Sequence, residues 1–173
     1  MINGENNADP TSARGFTIHN IYVKDVSFES PNTPQIFSIH WDPKVDFDLA
    51  INSSKIADNV WESTLDVTVK VSVKIEEAKR EEHNGKEFET AFITEVKLAG
   101  IFTLAGFDKE QADKILATAI PALLFPYLRE TVSSLVSKGG FPQLILPPMD
   151  FDAMYQKHLE ENNNNLQSPV KVN

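Results

Sequence analysis

An α+β fold, a four-stranded antiparallel sheet followed by two helices packed on one face, is predicted by three features of the sequence. Its first part alternates apolar and polar residues with a period of two. After Gly106 that period gives way to helix caps and helical spacing. Strands and helices are therefore segregated along the chain, which points to helices covering one side of an antiparallel sheet.

The first strand is predicted over 16–29. Phe16, Ile18, Tyr22, Val26 and Phe28 share one parity, and Asp25, Ser27 and Glu29 the other. "SPNTP" ends it, and a long connection carrying Phe37, Ile39 and Trp41 leads to Pro43. "KVDFDLAI" is the second strand, with Val45, Phe47, Leu49 and Ile51 opposite Asp46 and Asp48. "NSSKIADN" reads as a loop. From Trp61 to Ile75 every even position is polar or charged, which means a sheet with one buried and one wet face. Asn84–Gly85 signals a type I′ hairpin, where both central residues need positive φ. The fourth strand places Phe88, Thr90, Phe92, Thr94, Val96, Leu98, Phe102 and Leu104 on one face and Glu89, Ile93, Glu95 and Lys97 on the other.

Asp108 and Gln111 form a capping box at the start of a helix. Pro121 suits the first turn of a new helical segment, Pro126 should kink or restart it, and Gly139–Gly140 should stop it. "FPQLILPPMD" is expected to be extended, and a short helix with Phe151, Met154, Tyr155 and Leu159 on one stripe follows Asp150. Residues 1–15 are expected to be a disordered tail, 16–160 one domain, and 161–173 a disordered Asn-rich tail.

Composition narrows the function. The chain has 173 residues, a net charge of −9 and no cysteine. An acidic chain is a poor partner for nucleic acid or anionic membranes, and a natural one for basic protein segments. Thiolate metal sites and disulfides are excluded. The N-terminus lacks an apolar signal-peptide core, and "ATAIPALLFPYL" is shorter than the ~20 residues a membrane-spanning helix needs, so a cytoplasmic protein is expected. The four histidines are scattered, and no phosphate loop, nucleophile elbow or zinc spacing occurs. Catalysis has no constellation to stand on.

Two features invite binding. Asp25, Glu29, Asp46, Asp48, Glu62, Asp66, Glu89 and Glu95 all have the parity of the wet face. Charging a sheet face for solubility explains most of them, but the excess of acid over base leaves a basic partner open. The irregular segments "TPQIFSIHW" and "FPQLILPP" also carry large apolar groups. They either cover the core or border a groove for extended apolar polypeptide.

"IYVKDVSFESPN", "FITEVKLAGIFTLAG" and "LLFPYLRETVSSLVSKGGFPQLILPPMDFDAMY" resemble the SecB family of bacterial protein-export chaperones, over roughly residues 16–160. The resemblance implies a homotetramer, a dimer of dimers, without enzymatic activity or cofactor. Such a protein holds unfolded precursor proteins without ATP and delivers them to the SecA ATPase. It further implies SecA contacts at Asp25, Glu29, Ile93 and Glu95, and a tetramer-interface role for Thr94, Val96 and Leu98. The client groove is expected to include Trp41, Val45, Phe47, Phe141, Leu144, Leu146, Phe151 and Tyr155. The zinc in this system belongs to SecA; no metal is expected here. The hairpin "EEAKREEHNGKEFE" is longer than the family pattern, and Thr94 stands where cysteine is familiar. A carrier of small hydrophobic ligands and a non-catalytic assembly protein are the competing readings.

Overall fold

The computed structural model of the chain describes residues 14–166. Most of the expected N-terminal tail and the last part of the expected C-terminal tail lie outside them. Four long strands, β1 (Gly15–Glu29), β2 (Pro43–Ala57), β3 (Val60–Lys74) and β4 (Phe88–Ala105), form one antiparallel sheet in the order β1-β4-β3-β2. The helices are α1 (Lys109–Ala117), α2 (Ala119–Lys138) and α3 (Phe151–Leu166).

The strongest periodicity gives the best-packed strand. Leu65, Val67, Val69, Val71 and Val73 of β3 are at most 2% exposed, and α2 lies over them and over β4. From α2, Ile120, Leu124, Leu128, Val132 and Val136 close the core. The sheet's two central strands are thus covered on one side, while the helix-facing sides of the edge strands β1 and β2 stay partly open.

β2 is longer than expected. "NSSK" shows no alternation, because Asn52–Lys55 are polar on both faces, yet they pair with β3 in unbroken register. The reversal is the Asp58–Asn59 turn, with Asn59 at φ 58°. Asn84 (φ 57°) and Gly85 (φ 76°) do have the expected positive φ, but they do not join the strands directly. They end a 3₁₀ helix, Glu77–His83, with Gly85 N–H donating to the Arg80 carbonyl.

The α1 capping box forms as expected: Gln111 N–H donates to Asp108 Oδ1 at 2.8 Å. One non-helical residue, Thr118, separates α1 from α2, and α2 runs through Pro126 as one element. Together they span Lys109–Lys138, long and apolar enough to cross a membrane by length and composition, contrary to the expectation from the shorter apolar stretch. Here their apolar side lines the protein core. Gly140 (φ 84°) follows α2, with Gly140 N–H bonded to the Ser137 carbonyl and Phe141 N–H to that of Val136. This double bond pattern ends the helix and turns Phe141 back onto the core. Asp150 caps α3 by accepting from Ala153 N–H. α3 continues to Leu166, so 161–166 are helical rather than part of a disordered tail.

Candidate functional site

Side-chain direction in β1 departs from simple parity. The register with β4 slips between Ile18 and Asn20 and again between Val23 and Asp25, each slip adding one unpaired residue. Each such bulge reverses the parity downstream. Tyr22, in register with Ala99, therefore stands on the outer face with Asp25, Ser27 and Glu29, and not with Val26 and Phe28. The helix-facing residues Phe16, Ile18, Val23 and Val26 are all more than 40% exposed, because β1 is an edge strand and α2 lies over β3 and β4 instead.

No slip falls between Asp25 and Glu29, so they share the outer face about 13 Å apart. Glu95 is in register with Ser27 between them, and Ile93 with Glu29. The four residues expected to contact SecA are thus gathered on one patch of the β1–β4 pair. A third slip, at Ala91 in β4, brings Glu89 into register with Val73 and off the outer face. Glu89 is buried beside Lys86 (3.2 Å) and His83 (3.6 Å). Its expected place among the exposed acids is corrected accordingly. Phe88, expected on the core side, is exposed for the same reason.

The remaining outer acids differ in what they touch. Glu62 takes both carboxylate oxygens to Lys24 Nζ, each at 2.8 Å, and accepts a short hydrogen bond from the Tyr22 phenol. The Lys24 ammonium, and then that phenol, hold the Glu62 carboxyl below its ordinary range. The same hydrogen bond, then burial and the Glu62 charge, push the Tyr22 phenol up to about 12. Asp66 pairs with Lys97 (3.4 Å) and accepts from Asn52 (3.0 Å), and Asp46 lies 3.4 Å from Lys44. Among the described residues, Asp25, Glu29, Glu95 and Asp48 have no cationic partner. Three of those four make up the β1–β4 patch.

On the same β4 strand, Thr94, Val96 and Leu98 face the helices and are at most 2% exposed. Thr94 Oγ1 donates to the Ser27 carbonyl at 2.8 Å. Within the single chain these three positions, expected at the tetramer interface, belong to the core.

The apolar residues form two connected zones on the helix side. Around Phe141 gather Phe92 (centroids 4.9 Å apart), Phe37 (5.1 Å), Trp41 (5.9 Å) and Phe28 (6.3 Å). The 3₁₀ turn Gln35–Ser38 brings Phe37 there, and Ser30 and Asn32 tie the connection to the Ala91 and Thr90 carbonyls. Phe37 remains 53% exposed at the surface of this cluster. The second zone is a cavity of about 640 Å³ between β2, α1 and α3. Its apolar wall is Leu49, Ile51, Trp61, Leu116 and Met154.

Of the expected groove residues only Tyr155 lines that cavity. Trp41, Phe47 and Leu144 are half-buried against the core, and Val45 is exposed. Phe141, Leu146 and Phe151 are at most 6% exposed and lie beneath this surface rather than on it. Leu49, Ile51, Trp61 and Met154 were missed as lining. The alternation of β2 and the stripe of α3 already contained that signal, since Leu49 and Ile51 continue the Val45–Phe47 face. Among the described residues no cluster of three or more His, Asp or Glu is arranged to hold a metal.

A family profile described as preprotein translocase subunit SecB matches residues 9–162. The chain belongs to the SecB family. A protein-export protein SecB of Methylococcus capsulatus is 42% identical over 156 residues, covering 90% of this chain and 91% of the relative. One of Legionella pneumophila is 44% identical over 146 residues, covering 84% and 82%. A solved SecB-like chaperone of Mycobacterium tuberculosis, in complex with a ChAD peptide from an antitoxin, shares the fold with a TM-score of 0.58. It is 13% identical and covers 78% of this chain and 91% of its own. As a SecB-family protein, the chain is a protein-export chaperone.

Proposed function

We propose that this SecB-family chaperone holds unfolded precursor proteins without ATP or enzymatic chemistry and delivers them to SecA in the cytoplasm. The observation that carries the reading is the separation of two surfaces on one sheet. Carboxylates without a cationic partner among the described residues cluster on the outer face of β1–β4, and half-buried apolar residues border an open groove beside β2. Asp25, Glu29 and Glu95, with Ile93 beside them, receive a basic segment of SecA. Trp41, Phe47, Leu144 and Tyr155, together with Leu49, Ile51, Trp61 and Met154, receive apolar segments of clients. A few hundred Å² of apolar burial at about 25 cal/mol/Å² gives several kcal/mol before binding costs, which suits sequence-tolerant capture. Four such grooves in a dimer of dimers would hold one long client at several points, each later contact being intramolecular. Thr94, Val96 and Leu98 bear on that assembly only through the packing of their own protomer.

The decisive experiment is the variant Asp25→Lys with Glu29→Lys. Calorimetry should show SecA binding strongly weakened, while tetramer mass and suppression of aggregation are kept. Unchanged SecA binding would reduce the acidic patch to a solvated surface. The cavity is also of a size that small ligands occupy, since such sites usually measure about 300–1,000 Å³. A carrier would bind one small apolar molecule stoichiometrically and leave refolding of an unrelated denatured protein undelayed.

A further inference from the structure

Two lysines border the acidic patch, and both are turned away from it. Lys24 is the unpaired residue of the β1 bulge, next in sequence to Asp25. Its ammonium nevertheless reaches past β4 to Glu62 on β3, where it meets both carboxylate oxygens at 2.8 Å. β4 presents only Ala99 at the position in register with Tyr22 and Thr64, so no large side chain blocks that reach. Lys97 is in register with Asp25 on one side and with Asp66 on the other. It pairs with Asp66 at 3.4 Å. Asp66 Oδ1 is buried without a hydrogen-bond donor, and Asn52 holds the other oxygen at 3.0 Å. A buried carboxylate oxygen with no hydrogen bond besides the Lys97 charge facing it, and a carboxylate already fixed by a phenol, draw the two lysines to β3, whereas Asp25 Oδ1 on β1 already accepts from Val26 N–H at 3.0 Å.

We infer that Glu62 and Asp66 are positioning residues that hold Lys24 and Lys97 over β3 and so keep Asp25, Glu29 and Glu95 open to a basic partner segment. The inference rests on the acidic-face reading above. A lysine released beside Asp25 competes with the partner's lysines as an intramolecular rival, at an effective concentration no free ligand matches. Cross-strand pairs of this kind also support the sheet itself. The two roles separate when the lysine is removed along with its acid: a purely structural loss stays, and a competitive one disappears.

SecA affinity at low ionic strength is the measurement. Glu62→Gln is expected to weaken it roughly two- to fivefold, the range of an exposed ion pair, and Asp66→Asn similarly. Glu62→Gln with Lys24→Gln, and Asp66→Asn with Lys97→Gln, should return to the wild-type value. Lys24→Gln alone should bind at least as tightly as wild type. Glu110→Gln, which removes an exposed acid from the first turn of α1, controls for net charge and should change nothing. The inference is overturned if the single acid variants bind like wild type, if the double variants stay as weak as the singles, if Lys24→Gln weakens binding, or if Glu110→Gln weakens it as much as Glu62→Gln. Asp25→Lys with Glu29→Lys distinguishes the failures. Where it abolishes binding and Glu62→Gln does not affect it, the patch is the site and only the positioning role is lost. Where it too leaves binding intact, the acidic-face reading falls with it.

Discussion

The ring of Phe28 fills the space in which a side chain at Gly139 would begin. A Cβ at Gly139 would lie 2.3 Å from Phe28 Cζ and 2.7 Å from Cε1. Gly139 itself has φ −71° and ψ −5°, a backbone any residue adopts, so the requirement for glycine is one of space alone. The end of α2 and the end of β1 are thereby locked together, with Phe28 stacked on Phe92 at 5.5 Å.

Gly139→Ala is therefore expected to destabilise the protein by about 1–3 kcal/mol, the cost of overpacking a filled site. The urea midpoint should fall with an unchanged m-value. The near-ultraviolet circular dichroism should change as well, because Phe28 must leave its place against Phe92 and Phe141. A midpoint equal to that of wild type would show that the ring yields without cost.

Elements whose pattern is uninterrupted were legible from the sequence, and the exceptions share one cause. β3, the α1 capping box and the Gly139–Gly140 stop follow from residues close together in the chain. The faces of Tyr22, Phe88 and Glu89 did not, because counting parity assumes an unbroken pleat and one extra residue at a bulge reverses it. Nothing in the residues at His19, Lys24 or Ala91 announces the slip; tertiary pairing decides it. Asp25, Glu29 and Glu95 kept their common face because no bulge falls between Asp25 and Glu29 or between Ile93 and Glu95. The division of the outer acids into paired and unpaired was also beyond the sequence, since Lys24 finds Glu62 two strands away. Burial of Thr94, Val96 and Leu98 within the protomer depends on where α2 lies, which strand alternation does not fix.

That burial changes what a charge at these positions should do. Val96→Asp or Leu98→Asp places an unpaired carboxylate among residues at most 2% exposed. Breaking a buried site in this way costs several kcal/mol or leaves the group neutral. Loss of protomer stability is expected to accompany any loss of assembly, so chemical denaturation and light scattering should report a common transition. A fully folded dimer with wild-type unfolding behaviour would contradict the core assignment.

The Tyr22–Glu62–Lys24 group should leave a mark at both ends of the pH scale. Glu62 is held below its ordinary 4.5, so its stabilising effect is present above that value and is lost as pH falls through the lower folded value. Tyr22 is raised from 10.0 to about 12, so its effect is complete below pH 10 and is lost as pH rises towards 12. In Glu62→Gln the hydrogen bond to a charged acceptor and the neighbouring charge both disappear. The phenol should then titrate nearer 10, as read by ultraviolet difference absorbance with Tyr22→Phe as the subtraction. The stability gap between wild type and Glu62→Gln should narrow below about pH 4.5. A Tyr22 titration untouched by the substitution would remove Glu62 as its cause.

Client capture can be followed from inside the groove, because the two tryptophans occupy its two zones. Trp41 packs beside Phe141, and Trp61 lines the cavity between β2, α1 and α3. Trp41→Phe leaves Trp61 as the single indole reporter. Addition of an unfolded client should shift its emission to shorter wavelength, since apolar segments displace water from a partly exposed ring. Phe47→Ser removes an apolar wall beside the core without touching the acidic face, and it should weaken capture by several-fold while SecA affinity stays unchanged. Each lost methylene-sized contact is worth about 0.8 kcal/mol at most where burial is complete, and Phe47 is only half-buried. Where a client engages several grooves, as proposed above, a single loss is further diluted, so aggregation assays at limiting chaperone are the sensitive ones. A Trp61 emission that ignores the client, together with normal capture by Phe47→Ser, would move the client surface away from β2 altogether.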